Sequence, residues 1–350
     1  MKRRNFIIGT SLGLALTLAG KSFGKIFNNA VNSVKPKMLN KGDTIGIIAP
    51  GTAVSDPESF YKIKEVMDYF ELRCKFGKFL AKGTGYKTRS VDERLEDLHN
   101  MFSDQSVKAI FCIRGGYGSI RLLDKIDYNL IRANPKIFLG YSDITALHLA
   151  ISKLTGLVTF HGPVLISEFS NWTVSYFRKA LFSLDPIGKV INDSKKNNVR
   201  NLHPFWSVTN GKSQGKLTGG NLTMICSLMG TPYEIETDGK ILFIEDVDEE
   251  PYRIDRMLTQ LRLAGKFNKA SGIIFGECSG CSSDRLQPSR VWDYTLGEVL
   301  ESVLGDLKIP VVYGLTFGHT SDQLTIPIGV EAVIDSDNQK FEILESGVIA

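Results

Sequence analysis

Ser142 stands between an apolar run, Ile137-Phe138-Leu139, and a stretch in which Ile144, Leu147, Ile151 and Leu154 recur at helical spacing. A strand that turns sharply into a helix lifts a serine hydroxyl out of the sheet. The helix N-terminus then favours negative charge developing beside it. Gly140 gives such a turn room, although Ile144 stands where the G-x-S-x-G pattern has its final glycine. From these residues alone Ser142 is either a nucleophile or the cap of a helix. Arg114-Gly115-Gly116-Tyr117-Gly118 follows the neighbouring apolar run, residues 109–113. Ligands of open α/β sheets bind outside the carboxyl ends of the strands. The glycines there let backbone N–H groups close on a ligand, and with the Asp143 N–H they could form an oxyanion hole. The same residues also suit an ordinary tight turn. Their spacing matches neither the P-loop nor the full dinucleotide fingerprint.

A serine hydroxyl needs a base to take its proton. The chain has five histidines: His99, His148, His161, His203 and His319. His99 reads as a helix-surface side chain. His148 is expected to point away from the start of its helix. His161, in His-Gly-Pro, ends an apolar segment and suits a structural role, and His203 falls in a polar stretch. His319, in Phe-Gly-His-Thr-Ser, lies in a small-residue loop just past a strand, where functional residues concentrate. A base needs an orienting carboxylate. Glu245 closes the apolar strand ILFIE, so its side chain is expected to be partly desolvated and fixed. The acidic run 245–250 lacks the alternating ligands and glycine of a calcium loop, and its later residues suit a helix start. The five cysteines are an odd number, with Cys112 and Cys226 in apolar runs. Cys278-Ser-Gly-Cys281 has metal or redox spacing, but no second pair or nearby histidine completes a zinc site, so it reads as a loop after a strand.

These candidates need elements to position them. Residues 43–50 read as a buried strand. Ser55-Asp56-Pro57 reads as a helix start followed by Ile63, Val66, Met67 and Phe70. Ser90-Val91-Asp92-Glu93 is a capping box for a helix with Leu95, Leu98, Met101 and Phe102. Strands and helices alternate, so the first half reads as an α/β layer on a mostly parallel sheet. Residues 166–212 are less regular and rich in Asn, Ser and Lys. An interdomain linker is expected over 167–212, between a domain at 38–166 carrying Ser142 and one at 213–350 carrying Glu245 and His319. In the second half Gly219-Gly220-Asn221 leads a helix, Pro251 opens another, and short strands are expected near 324–328, 330–334 and 341–344.

The 350 residues carry 42 basic and 38 acidic side chains, a net charge of +4. Residues 1–37, read as an export signal and linker, hold seven basic side chains and no acidic one, which leaves the remainder at −3. A slightly acidic body has no electrostatic reason to seek nucleic acid. Lys2-Arg3-Arg4 precedes a mild apolar stretch from Phe6 to Gly20, too short to span a bilayer comfortably and patterned like a secretory signal. Arg3-Arg4-Asn5-Phe6-Ile7 resembles the start of a twin-arginine signal. The alternative is an uncleaved anchor. The expectation is a periplasmic protein with no stable membrane span once the signal is removed.

Taken in order, IGIIAPG, RGGYG, GYSD, HGP, GKLTGGNL, ILFIEDVDEEPYRIDRML and YGLTFGH resemble the LD-carboxypeptidase family of serine peptidases, which includes the microcin-immunity peptidases. The resemblance runs from about residue 40 to 340. It implies a Rossmann-like N-terminal domain with a mostly parallel sheet, a smaller β-rich α/β C-terminal domain, a homodimer, and no metal or cofactor. Carried over by position, it implies Ser142 as nucleophile, His319 as base and Glu245 as triad carboxylate, with Gly116 and Asp143 supplying the oxyanion hole. The implied activity is release of the terminal D-alanine from a peptidoglycan tetrapeptide, the muropeptide being the partner. Arg114 is the candidate to read the substrate carboxylate, and Asn221 to hydrogen-bond the peptide backbone. The export segment departs from the family's recycling enzymes, which are typically cytoplasmic. Two other readings stay open: an amidase acting on a peptide–nucleotide or other modified amide, and a non-catalytic peptidoglycan-binding protein.

Overall fold

The computed structural model describes residues 32–54, 56–80, 89–192, 204–281 and 294–350. The export segment and His203 lie outside the described residues. In chain order the first half supplies β1 (Thr44–Ile48), α1 (Pro57–Tyr69), β2 (Arg73–Phe76), α2 (Val91–Ser103), β3 (Val107–Cys112), α3 (Tyr128–Ala133), β4 (Ile137–Gly140), α4 (Thr145–Thr155) and β5 (Thr159–His161). Local chemistry sets the helix starts. The Asp56 side chain accepts the Ser59 N–H at 2.8 Å, with Pro57 as the first helical residue of α1. Ser90 and Glu93 exchange side chain-to-backbone hydrogen bonds, the expected capping box of α2. After the RGGYG loop a 3-10 turn, Ser119–Lys125, buries Leu122 and Leu123.

Next come α5 (Asn171–Leu181), β6 (Gly188–Lys189), β7 (Trp206–Thr209), β8 (Lys212–Asn221), α6 (Leu222–Ser227), β9 (Lys240–Glu245), α7 (Pro251–Leu263), β10 (Gly272–Gly276), α8 (Leu296–Leu304), β11 (Val311–Leu315), β12 (Ile326–Ile328), β13 (Glu331–Asp335) and β14 (Lys340–Ile343). Two sheets result. The first has six strands in the order β12-β5-β4-β3-β1-β2, with β2, β1, β3, β4 and β5 mutually parallel. The second has eight strands, β6-β14-β13-β8-β9-β10-β11-β7, around a parallel centre of β8, β9, β10 and β11. Antiparallel β13, β14 and β6 extend one side and β7 closes the other.

Two features differ from the sequence expectation. The span 167–212, expected to be irregular, contains α5, β6, β7 and the start of β8. α5 buries Tyr176, Phe177, Ala180 and Leu181, so its apolar face, not its polar surface, decides its structure. β12 leaves the second half and pairs antiparallel with β5 in the first sheet, Ile326 opposite His161. The sheets therefore share their cores. One buried cluster joins Ile47, Phe111, Leu139 and Phe160 to Phe243, Ile274 and Val312. The other joins Ile48, Phe138, Leu147 and Ile151 to Leu242, Ile254 and Phe275. Each such side chain contributes about 1.5–3 kcal/mol on burial, so docking the two sheets is integral to folding.

Candidate active site

β4 is buried throughout and ends at Gly140. Tyr141 is extended, and Ser142 then takes φ +64°, a left-handed conformation, before the 3-10 turn Ser142–Ile144 runs into α4. A non-glycine residue in that region is disfavoured by roughly 1–2 kcal/mol, so the hydroxyl is held in a strained turn at the carboxyl edge of the sheet. An atom in the place of a Gly115 side chain would lie 2.9 Å from Ser142 Cβ and 3.2 Å from the Asp143 nitrogen. The RGGYG loop thus passes directly against the turn. Gly116 has φ +91°, and the next N–H, of Tyr117, donates to Thr52 Oγ1 at 2.9 Å. The first N–H groups of a helical turn lack intrahelical partners, so the Asp143 N–H is available beside this loop.

The second sheet brings the other groups. β9 ends at Glu245, which is fully buried. His319 lies in the loop after β11. Its Nδ1 is 2.7 Å from Glu245 Oε2, and its Nε2 is 3.1 Å from Ser142 Oγ. With Nδ1–H donating to the carboxylate, the Nε2 lone pair faces the serine hydroxyl. Gly318 makes this approach possible. It has φ +91°, and a side-chain carbon there would fall 2.5 Å from Glu245 Oε2. Burial pushes the Glu245 carboxyl up, but His319 beside it prevails and holds the pKa below the ordinary value. Burial likewise pulls the His319 imidazole down. Glu245, with Asp246 and Asp248 adding their charge, more than offsets this and raises it above the ordinary histidine value. The Tyr141 ring packs 4.8 Å from the His319 ring, centroid to centroid.

The remaining described histidines serve the frame. His148, expected to point away from the start of its helix, instead reaches back toward it, with Nε2 2.8 Å from the Gly140 carbonyl. His161 is buried among Tyr141, Phe243 and Phe317. Burial lowers the pKa of His148 to about 3 and of His161 to about 4, so both are neutral near pH 7. His99 Nε2 accepts the Asp127 N–H at 3.0 Å.

Asn221, expected to contact the peptide backbone, is 5% exposed. Its side-chain oxygen caps α6 by accepting the Met224 N–H at 3.1 Å, and its Nδ2 donates to Asp246 Oδ1 at 3.0 Å. Beyond these two bonds an asparagine amide has a second N–H and a second oxygen lone pair. Arg114 is half-buried at the end of β3, and its charge reaches the Tyr141 hydroxyl. Cys278 and Cys281, read as a plain loop, are joined as a disulfide.

Several positioning groups escaped the sequence reading. Asp246 accepts bonds from Asn221, the Val247 N–H, and both the N–H and hydroxyl of Thr223. Burial, with Glu245 adding repulsion, raises its pKa to about 6. Asp143 Oδ2 accepts the Ser119 N–H at 2.9 Å. The buried Arg94 donates to the Pro50 and Gly118 carbonyls at 2.6 and 2.9 Å, tying the loop after β1 to the RGGYG loop. The available signal was polarity inside otherwise apolar surroundings: two adjacent acids closing a buried strand, and an arginine among the leucines of α2. Among the described residues, no group of three or more His, Cys, Asp or Glu side chains forms a metal site.

Residues 45–162 match the family model of the LD-carboxypeptidase N-terminal domain, and residues 214–334 that of the LD-carboxypeptidase C-terminal domain. The chain is 42% identical over 314 residues to a probable murein peptide carboxypeptidase of Bacillus subtilis, covering 90% of this chain and 95% of that one. It is 33% identical to the microcin C7 self-immunity protein MccF of Escherichia coli, over 88% of this chain and 94% of that one. Among solved structures it resembles a muramoyltetrapeptide carboxypeptidase from Oxalobacter formigenes, with TM-score 0.74, 29% identity, and coverage of 88% of this chain and 100% of the other.

Proposed function

The chain belongs to the LD-carboxypeptidase family of serine-type carboxypeptidases, and from that premise we propose that it releases the terminal D-alanine of peptidoglycan tetrapeptides through an acyl-enzyme on Ser142. The observation that carries the reading is the pair of contacts, 3.1 Å and 2.7 Å, linking Ser142, His319 and Glu245. Ser142 Oγ attacks the amide carbonyl carbon while His319 Nε2 takes its proton. Glu245 holds the Nδ1–H tautomer and stabilises the imidazolium. The carbonyl oxygen, now an oxyanion, is held by the Gly116 and Asp143 N–H groups. A donor of this kind is worth about 2.7–4 kcal/mol in other enzymes. His319 passes its proton to the departing amine, and water, activated by the same base, releases the acyl group. Arg114, half-buried beside the nucleophile turn, reads the terminal carboxylate as a planar two-pronged donor. The protein works as a periplasmic homodimer, exported by the twin-arginine route.

Release of free D-alanine from a purified muropeptide tests this. Wild-type protein is expected to release it and Ser142→Ala to fail. Equal release by both would remove the assignment. A second reading, hydrolysis of a peptide–nucleotide or other modified amide, draws support from the 33% identity to the microcin C7 self-immunity protein. A panel of such amides read by mass spectrometry separates the two by relative kcat/KM. A non-catalytic peptidoglycan binder would retain its ligand with no turnover and no dependence on His319.

A further inference from the structure

The Cys278–Cys281 disulfide follows β10, the strand between the one that ends in Glu245 and the one that leads to His319. All three strands run parallel. The cystine turn therefore emerges at the same sheet edge as the acid and the base, and between them. It is tied to both sides. Toward the acid, Ser279 bridges Val247 and its carbonyl accepts the Asp248 N–H at 2.8 Å. Asp248 is itself left-handed, at φ +54°, and its charge acts on His319. Toward the base, the Glu277 N–H donates to the Leu315 carbonyl at 3.1 Å, and Thr316 Oγ1 donates to Glu277 Oε1 at 2.8 Å. Both cysteines are buried, at 1% and 2% exposure.

The sequence separation is only three. A crosslink restricts the unfolded chain in proportion to the logarithm of the loop it closes, so this one adds little to global stability compared with a bridge across a long loop. Its effect is local. We propose that the Cys278–Cys281 bridge is a positioning clamp that holds the Glu245 and His319 loops in register, and that activity falls when it is reduced. Reduction by a dithiol is balanced: the S–S bond takes two electrons and two protons to give two thiols, and the dithiol closes to its own disulfide. The turn then loses its covalent closure, and the grip of Ser279 on the strained 247–248 segment loosens. Such a bridge persists in an oxidising compartment and opens in a reducing one. The inference rests on the proposed proton relay.

The test uses the full chain. Iodoacetamide labelling under denaturing conditions, read by mass spectrometry, is expected to mark three of the five cysteines before treatment with dithiothreitol and all five after. Labelling of Ser142 by a fluorophosphonate and hydrolysis of a muropeptide are then followed for oxidised, reduced and reoxidised protein, and for the double variant C278S/C281S. The reduced protein and the variant are expected to label on the order of tenfold more slowly. Their kcat should fall by a similar factor while KM changes by no more than about twofold, and reoxidation should restore the reduced protein. Five labels without dithiothreitol, or equal fluorophosphonate rates in all forms, would overturn the clamp. Labelling without muropeptide hydrolysis would overturn the substrate reading and leave the clamp to be judged on labelling. No labelling of the oxidised protein would overturn both.

Discussion

Ser142 is held where serine is least comfortable, and the hydroxyl is presented because of it. Glycine alone adopts φ +64° without a penalty. Ser142→Gly should therefore melt higher than Ser142→Ala by about 1 kcal/mol, a shift of a few degrees, while both lose activity by about 10⁴-fold or more. Thermal melts alongside D-alanine release check this; equal melting of the two variants would deny the strain. In the proposed mechanism His319 carries the pH dependence. Its pKa lies above the ordinary 6.5 because the nearby acids outweigh its burial, and only the neutral ring can take the serine proton. The rate should thus fall as pH drops through a value above 6.5, and hold above it. Glu245→Gln removes the attraction but keeps the burial, so the acid limb should move to lower pH while the maximal rate drops by about 10⁴-fold. A pH–rate profile from pH 5 to pH 9 on both proteins reads this directly.

At the scale of elements, two strand ends and their flanking turns set the precision of the site. Gly318 lets the His319 loop lie flat against Glu245. Gly318→Ala would place a carbon 2.5 Å from Glu245 Oε2 in a conformation alanine resists. It should lower kcat by 10–100-fold, seen in steady-state kinetics, with the Ser142 turn intact. Asp246 joins the end of β9 to the start of α6. Asp246→Ala strands the Asn221 amide, the Val247 N–H and the Thr223 donors together. An expected loss of about 1–3 kcal/mol should appear as a lower midpoint in denaturant. Much of this scale was legible beforehand. The caps at Asp56 and Ser90 depend on residues three apart, and the apolar spacing of α1 and α2 predicts the buried Ile63, Val66, Leu95 and Leu98. α5 was missed because its polar neighbours masked an amphipathic face that only docking reveals.

For the whole molecule, the two sheets act as jaws whose shared cores fix the distance between Ser142 and His319. The proposed export supplies a prediction here. Replacing Arg3 and Arg4 together by lysine should keep the chain in the cytoplasm, while the wild-type chain fractionates with periplasmic markers. Equal distribution of the two would refute the twin-arginine route. The sequence by itself determined what neighbours decide: the helix caps, the alternating strands and helices, and, through ordered motifs, which serine, histidine and glutamate to suspect. Tertiary structure alone decided that β12 crosses into the first sheet, that the Asn221 amide caps α6 and bonds Asp246, that Cys278 and Cys281 join, and that side chains 177 and 74 residues apart come within hydrogen-bond reach. Caps and periodicity depend on a few adjacent groups, whereas strand order and side-chain convergence follow from burying every apolar face at once, which no local stretch encodes.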